Sequence, residues 1–236
     1  MDDQVFLFAI FGIGGLLVAT FGIYRLLRWR RYQEATTAST AEAEHVDGPV
    51  KVEGTVEPVT PGDVVESPLF GVDSVISEYR VERQYKNDDA PDDWRLEGNG
   101  KDSVPFLLRD SSGTAYVDPD TAKWSLEEES QYSDDLSNYI NVDGFGLDLE
   151  VPLSHRRRLT EERLEPGTTA VVFGEAKTEP EESHRVRVSD GSNTPEFLVS
   201  DADIAETERR LLLTGGLLTL VGLVILGIGS YVMFLG

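Results

Sequence analysis

Two uncharged stretches, Val5 to Tyr24 and Leu211 to Leu235, lie at opposite ends of the chain and constrain whatever folds between them. A bilayer core about 30 Å thick needs roughly 20 apolar residues in a helix rising 1.5 Å per residue. Both stretches meet that length. A cleaved signal peptide would start with basic residues and end in small ones. This chain starts with Asp2 and Asp3, and arginines follow the first stretch. The sequence therefore predicts two membrane spans, residues 5–27 and 209–235, with a linker at 28–49 and a water-exposed domain at 50–208.

Arginines set the expected orientation. Arg25, Arg28, Arg30 and Arg31 follow the first span, and Arg209 and Arg210 precede the second. The outer flanks carry no Lys or Arg. Basic residues near span ends favour the cytoplasmic side, which predicts a cell-membrane protein with its domain in the cytoplasm and both termini outside. Membrane lipids are then obligatory partners.

Net charge is −22, and residues 32–208 hold 41 Asp plus Glu against 15 Lys plus Arg. The acid is spread through the whole domain, a pattern resembling halophile surfaces, where salt screens self-repulsion. It argues against nucleic acid as a partner, because phosphate binding needs a basic face. The absence of cysteine excludes thiol catalysis, disulfides and cysteine-ligated zinc. His45, His155 and His184 are scattered, and no metal or cofactor site is expected. No catalytic residues stand out, so an enzyme is disfavoured.

Between the spans the pattern is β-rich, which predicts an α+β protein with two helices flanking a strand domain. Val50 to Val56 alternates, Val75 to Tyr85 is strand-like, and Thr168–Gly174 with His184–Val188 reads as a strand pair. Phe106–Arg109 and Thr114–Val117 flank Asp110–Ser111–Ser112–Gly113, a hairpin signature. Phe197–Val199 reads as a last short strand and Gly146–Val151 as a brief alternation. Thr160–Leu164 reads as a helical turn, Asn87–Asn99 as an acidic loop, and Glu34–Glu44 as a helix extension or flexible tether. Asp201 to Arg210 should start the second helix. The hairpin, followed by Leu164–Glu165–Pro166–Gly167 and Val171–Gly174, resembles five-stranded barrels of the OB type.

Three features resemble the GIDE domain, found between two membrane helices in organellar RING ubiquitin ligases and in prokaryotic proteins without the RING. The first is Ser67–Pro68–Leu69–Phe70–Gly71–Val72, with Tyr79, Val81, Glu82 and Trp94 after it. The second is Val104 to Gly113. The third is Thr160 to Gly167, then Val171–Gly174, Phe197 and Asp201. The resemblance implies a protein-modification setting and makes Ser67, Pro68, Leu69, Gly71 and Trp94 candidate binding residues; the Pro and Gly serve a backbone turn equally well. It departs from the family at Asp73–Val75, where a cysteine is common, and it lacks the zinc-binding RING that follows the second span in the ligases.

Two further sets complete the candidates. Arg156, Arg157 and Arg158 form the basic cluster of the acidic domain, either paired locally with Glu161 and Glu162 or contacting lipid headgroups or an acidic partner. Gly12, Gly15, Ala19 and Gly22 share one helical face, and Gly215, Gly222 and Gly229 repeat every seven residues. Such faces let helices pack closely, as an antiparallel pair or in a homo-oligomer, although glycine is common in membrane helices anyway. Asp88, Asp89, Asp92 and Asp93 lack the spacing of a calcium loop and read as solvated surface. The function these features favour is a membrane-tethered binding or scaffold protein docking other membrane proteins or a modification component; alternatives are a part of a ligase-like system and a lipid-sensing module.

Overall fold

The computed structural model describes residues 3–85, 93–134, 156–178, 186–191 and 196–235. It divides into two compact units, residues 1–36 with 204–236, and residues 37–203.

The first unit is a pair of helices, α1 (Asp3–Glu34) and α2 (Ile204–Leu235). Within them, Ile10–Glu34 and Ile204–Tyr231 are long and apolar enough to cross a membrane. Their contact is antiparallel and made by small residues. A Cβ built on Gly15 would lie 2.7 Å from the Leu226 nitrogen and 2.9 Å from the Gly222 carbonyl oxygen. One on Gly22 would strike Thr219, and one on Gly222 would strike Ala19. Gly215 faces Leu26 and Arg25, and Gly229 faces Phe11 and Gly12. Backbones therefore touch along much of the pair, and Thr219 returns its hydroxyl to the Gly215 carbonyl at 2.9 Å. Gly14, Gly216 and Gly227 have open space beside them. We expect Gly222→Leu to separate the helices, at about 1–3 kcal/mol for overpacking a close contact, read as unfolding at lower SDS fraction in a detergent titration. An unchanged midpoint would contradict the close contact.

Among its described residues the second unit has fourteen short to medium strands, β1 straddling its boundary. In chain order they are β1 (Thr36–Thr37), β2 (Pro49–Pro58), β3 (Val65–Glu66), β4 (Asp73–Ser74), β5 (Ile76–Tyr85), β6 (Asp93–Ser103) and β7 (Phe106–Arg109). Then come β8 (Thr114–Val117), β9 (Lys123–Ser125), β10 (Glu128–Ser133), β11 (Arg157–Leu164), β12 (Thr169–Thr178), β13 (Val186–Ser189) and β14 (Leu198–Ser200). Strands β2, β7, β8, β13 and β12 close into a five-stranded barrel, because β2 pairs with β7 on one edge and β12 on the other. Strands β8 and β13 run parallel, and the other barrel neighbours are antiparallel. This is the small closed barrel expected of the OB type, flanked by two helices. Its core comes from one parity of each strand, including Val50, Val52, Phe106, Leu108, Val172 and Val188, all fully buried. Gly54 makes closure possible: a Cβ there would sit 2.6 Å from the Arg109 carbonyl oxygen.

A second sheet, β10–β11–β5–β6, is antiparallel throughout. Strands β3 to β6 are inserted between barrel strands β2 and β7, and β9 to β11 between β8 and β12. Two sequence readings fail here. Thr160–Leu164 is the end of strand β11, not a helical turn, and the register of the sheet explains why: Glu161 and Glu162 pair with Tyr79 and Glu78 across to β5. The acidic stretch read as a loop to Asn99 is already strand from Asp93. The cross-strand partners of β5 override its low β propensity. Gly146–Val151 and most of the Asp88–Asp93 cluster lie outside the described residues.

The segment after α1 is ordered chain lying on the barrel. Ala38 donates its N–H to the Lys51 carbonyl at 3.0 Å, a 3-10 turn spans Ala43–His45, and Ala43 is buried in the barrel core. Asp110 holds this segment. Its carboxylate accepts from the Thr40 N–H (2.8 Å) and hydroxyl (2.7 Å), from the Ser112 N–H and hydroxyl (2.7 Å each) and from the Gly113 N–H (3.0 Å). Burial alone would raise its pKa. The hydrogen bonds from Thr40 and Ser112 outweigh burial and hold it well below the usual carboxylate range. A depressed carboxyl stabilises the fold above its unfolded value, near 4, and that contribution is lost as pH falls through the folded value. Asp110→Ala should cost about 1–2 kcal/mol at neutral pH and speed amide exchange at Thr40 and Ala41. The wild type and variant should converge in acid.

Candidate functional site

The Ser67–Pro68–Leu69–Phe70–Gly71 run forms a tight turn over one face of the four-stranded sheet. Ser67 accepts the Gly71 N–H at 2.8 Å through its carbonyl, and Gly71 takes φ +65°, a left-handed conformation that favours glycine. Leu69 packs with Val81 and Leu159, and Phe70 and Tyr79 lie against that small cluster. The Ser67 hydroxyl points inward and donates to Glu161 at 2.7 Å, while Ser77 donates to the other carboxylate oxygen at 2.6 Å. Ser67, Ser77 and Glu161 are all buried, Glu161 completely. The candidate residues Ser67, Leu69 and Gly71 thus shape and anchor a turn. Glu161 unites them, a role that the sequence does not suggest while Thr160–Leu164 is read with a helical period. In strand period it shares the buried parity of Leu159.

The three arginines do not act together. Strand alternation sends Arg157 to the turn-covered face, where it is 2% exposed and grips Glu97 through Nε (2.6 Å) and Nη2 (3.2 Å). Arg158 points to the opposite face and makes two bonds to one Glu82 oxygen (2.8 and 2.6 Å). Those hydrogen bonds raise its pKa further. The expected local pairing with Glu161 and Glu162 is therefore replaced by cross-strand partners. Glu97 reaches Arg157 because a bulge opposite Val81/Glu82 inserts it into β6.

Around Arg158 the structure assembles an aromatic group. Trp94 and Tyr132 come from the two outer strands, and their ring centroids lie 5.8 Å apart. The Arg158 guanidinium sits 5.1 Å from the Trp94 centroid, and that of Arg156 sits 4.9 Å from Tyr132. Tyr132, Arg158, Glu82 and Leu96 occupy one register row across all four strands. Tyr132 and Leu96 are more than half exposed. Trp94, Arg156 and Arg158 are thus brought together, and Arg157 is not. Among the described residues no carboxylate pairs with Arg156.

Nearer the barrel, the same outward face carries three glutamates in register: Glu128 on β10, Glu162 on β11 and Glu78 on β5. Burial raises the Glu162 pKa, and Glu78 and Glu128 raise it further. Opposed like charges weaken a sheet. Among the described residues no cluster of His, Asp or Glu has the arrangement to hold a metal ion.

Fold and site define a class: a closed β-barrel with an inserted, charge-rich sheet, accompanied by two helices long and apolar enough to cross a membrane. The family model described as "GIDE: E3 Ubiquitin ligase" matches residues 77–231, about two thirds of the chain and inclusive of nearly all of α2. The chain belongs to the GIDE family. No curated protein and no solved structure shows a significant match to it. The 236 residues contain no cysteine, so they contain none of the cysteine zinc ligands on which a RING is built.

Two substitutions separate structure from surface charge. Glu161→Ala would strand two buried hydroxyls and should cost about 3 kcal/mol, measured by thermal or chemical unfolding of the full chain. Glu162→Gln should stabilise at neutral pH. A raised carboxyl favours the folded state while protonated, and that advantage fades as pH rises through its folded value. The gain should therefore shrink as pH is lowered towards 4 and shrink in high salt.

Proposed function

We propose that this chain is a membrane-tethered binding and scaffold protein whose GIDE-type domain docks other membrane proteins or a protein-modification component, with no catalytic centre of its own. The observation that carries this reading is the extent of the family match. It runs from the inserted sheet through the barrel and along the second apolar helix, so domain and helix belong to one architecture. The arginines at the inner ends of both apolar stretches support a cytoplasmic domain at the cell membrane. The distributed acid supports a high-salt cytoplasm. The glycine contacts between α1 and α2 support a tight hairpin of spans; a homo-oligomer would use further contacts.

The family description supports a second reading, in which the chain serves a ubiquitin-ligase-like system whose RING or activating component is supplied in trans. A lipid-sensing role for Arg156, Arg157 and Arg158 has less support, because Arg157 and Arg158 already hold carboxylates.

The test is affinity capture of the intact chain from native membranes in high salt, against an unrelated two-span protein as control. Reproducible recovery of defined membrane proteins is the expected result. Recovery of a ubiquitin-like modifier or its conjugating machinery would select the second reading. Recovery of nothing beyond the control would overturn both.

A further inference from the structure

The turn-covered face of the four-stranded sheet ends in an arrangement that neither pairing nor packing accounts for. Arg157, Arg83 and Arg95 stand opposite one another on β11, β5 and β6. Three like charges in one cross-strand row destabilise a sheet. They are also improbable by composition in a domain with 41 acidic and 15 basic residues between positions 32 and 208.

Among the described residues the carboxylates do not neutralise the row. Glu97 is engaged by Arg157 in two hydrogen bonds. Its nearest approach to Arg83 is 3.7 Å, from Nη1, beyond hydrogen-bonding distance. Asp93 takes one bond from Arg95 at 3.1 Å, with both side chains more than half exposed, where a pair contributes little. Arg83 is left in an anomalous state. Its side chain is 17% exposed and its Nε is buried with no hydrogen-bond partner. Nε is one of five guanidinium N–H donors, and burying a donor unpaired is costly. The Tyr85 ring fixes the position of this cation and of its neighbour, with the Arg83 and Arg95 guanidinium carbons 4.4 and 4.5 Å from its centroid.

We propose that Arg83, supported by Arg95 and held by Tyr85, is a binding site for an oxyanion, the carboxylate or phosphate group of a small ligand. A fixed guanidinium fork suits both groups. An oxyanion at the solvent-facing part of the guanidinium would balance the surplus charge of the row. The site is separate from the Trp94–Tyr132–Arg158 group on the opposite face of the sheet. It stands independently of the scaffold reading, since binding is measured on the protein alone.

The experiment uses the full chain in detergent at fixed, high ionic strength, replacing chloride stepwise by inorganic phosphate or by acetate. Thermal unfolding is followed, with calorimetric titration as a second readout. The expected result is a saturable rise in unfolding temperature with at least one anion. Arg83→Gln should raise the half-saturating concentration about tenfold or more, a loss on the scale of one charge-assisted contact. Arg95→Gln, at an exposed position that folding tolerates, should raise it by a smaller factor, which keeps the proposal testable if Arg83→Gln does not fold. Saturation by phosphate alone assigns a phosphate ligand, and by acetate alone a carboxylate. A rise that never saturates and is the same in wild type and Arg95→Gln is general salt exclusion and overturns the site, as does no response to either anion.

Discussion

Strand β2 is the element on which the domain depends, because it hydrogen-bonds on both edges and thereby closes the barrel. Closure leaves these five strands without a free edge. It also brings Gly54 against Arg109, the residue that begins the Asp110 turn. Asp110 then captures Thr40 with its carboxylate. One topological event thus helps to order the segment that follows α1, alongside the burial of Ala43 and the packing of Ala38 and Val46 on the core.

The inserted sheet is held by different physics. Its own apolar cluster is three residues, Leu69, Val81 and Leu159, with Phe70 and Tyr79 against them. Ile76 and Leu164 join the barrel core from the base of β5 and β11, but neither outer strand, β6 or β10, buries a residue. Around the small cluster sit a buried carboxylate with two hydroxyl donors and a buried guanidinium with a bidentate carboxylate. Buried ion pairs add little net stability, yet breaking one costs several kcal/mol. Their effect here is on register. A one-residue slip of β11 would turn Glu161 and Arg157 to the other face and strand Ser67, Ser77 and Glu97. The polar interior therefore selects one alignment among several that the short apolar cluster would accept.

The barrel was legible in the sequence because its strands alternate cleanly and its hairpin carries a strong turn signal at Asp110–Gly113. The two apolar helices were legible by length alone. Of the inserted sheet only β5 was legible, within Val75–Tyr85; β6, β10 and β11 are rich in Asp, Glu, Arg and Gly, which local propensity assigns to loops and helix turns. Glu161 could be recognised only once β11 was read with a period of two. Glu97 needed knowledge of a bulge that has no sequence signal. Of the candidate site, adjacency in sequence misled for Arg156 to Arg158, since a strand sends neighbours to opposite faces. The convergence of Trp94, Tyr132 and Arg158, from three separate strands, is a tertiary fact.

Like charges face one another at two places along the inserted sheet. In β11 the arginines 157 and 158 stand at one end and the glutamates 161 and 162 near the other. Antiparallel β5 matches this, with Glu78 beside Glu162 and Arg83 beside Arg157. Salt acts unequally on the two ends. The exposed glutamate row loses its repulsion within a Debye length of about 3 Å at 1 M ionic strength, whereas the buried Arg157–Glu97 pair is shielded from ions by the protein. A high-salt medium would therefore relieve the acidic end and leave the arginine end's geometry intact. A surface that is acidic nearly everywhere repels other acidic macromolecules. Cations meet aromatic rings at several places on this domain, at Arg187 over Tyr116 on the barrel and at Arg156 over Tyr132 and Arg158 over Trp94 on the inserted sheet. Trp94, Tyr132, Arg156 and Arg158 include no histidine or cysteine, so the zinc chemistry of a RING has no ligands among them.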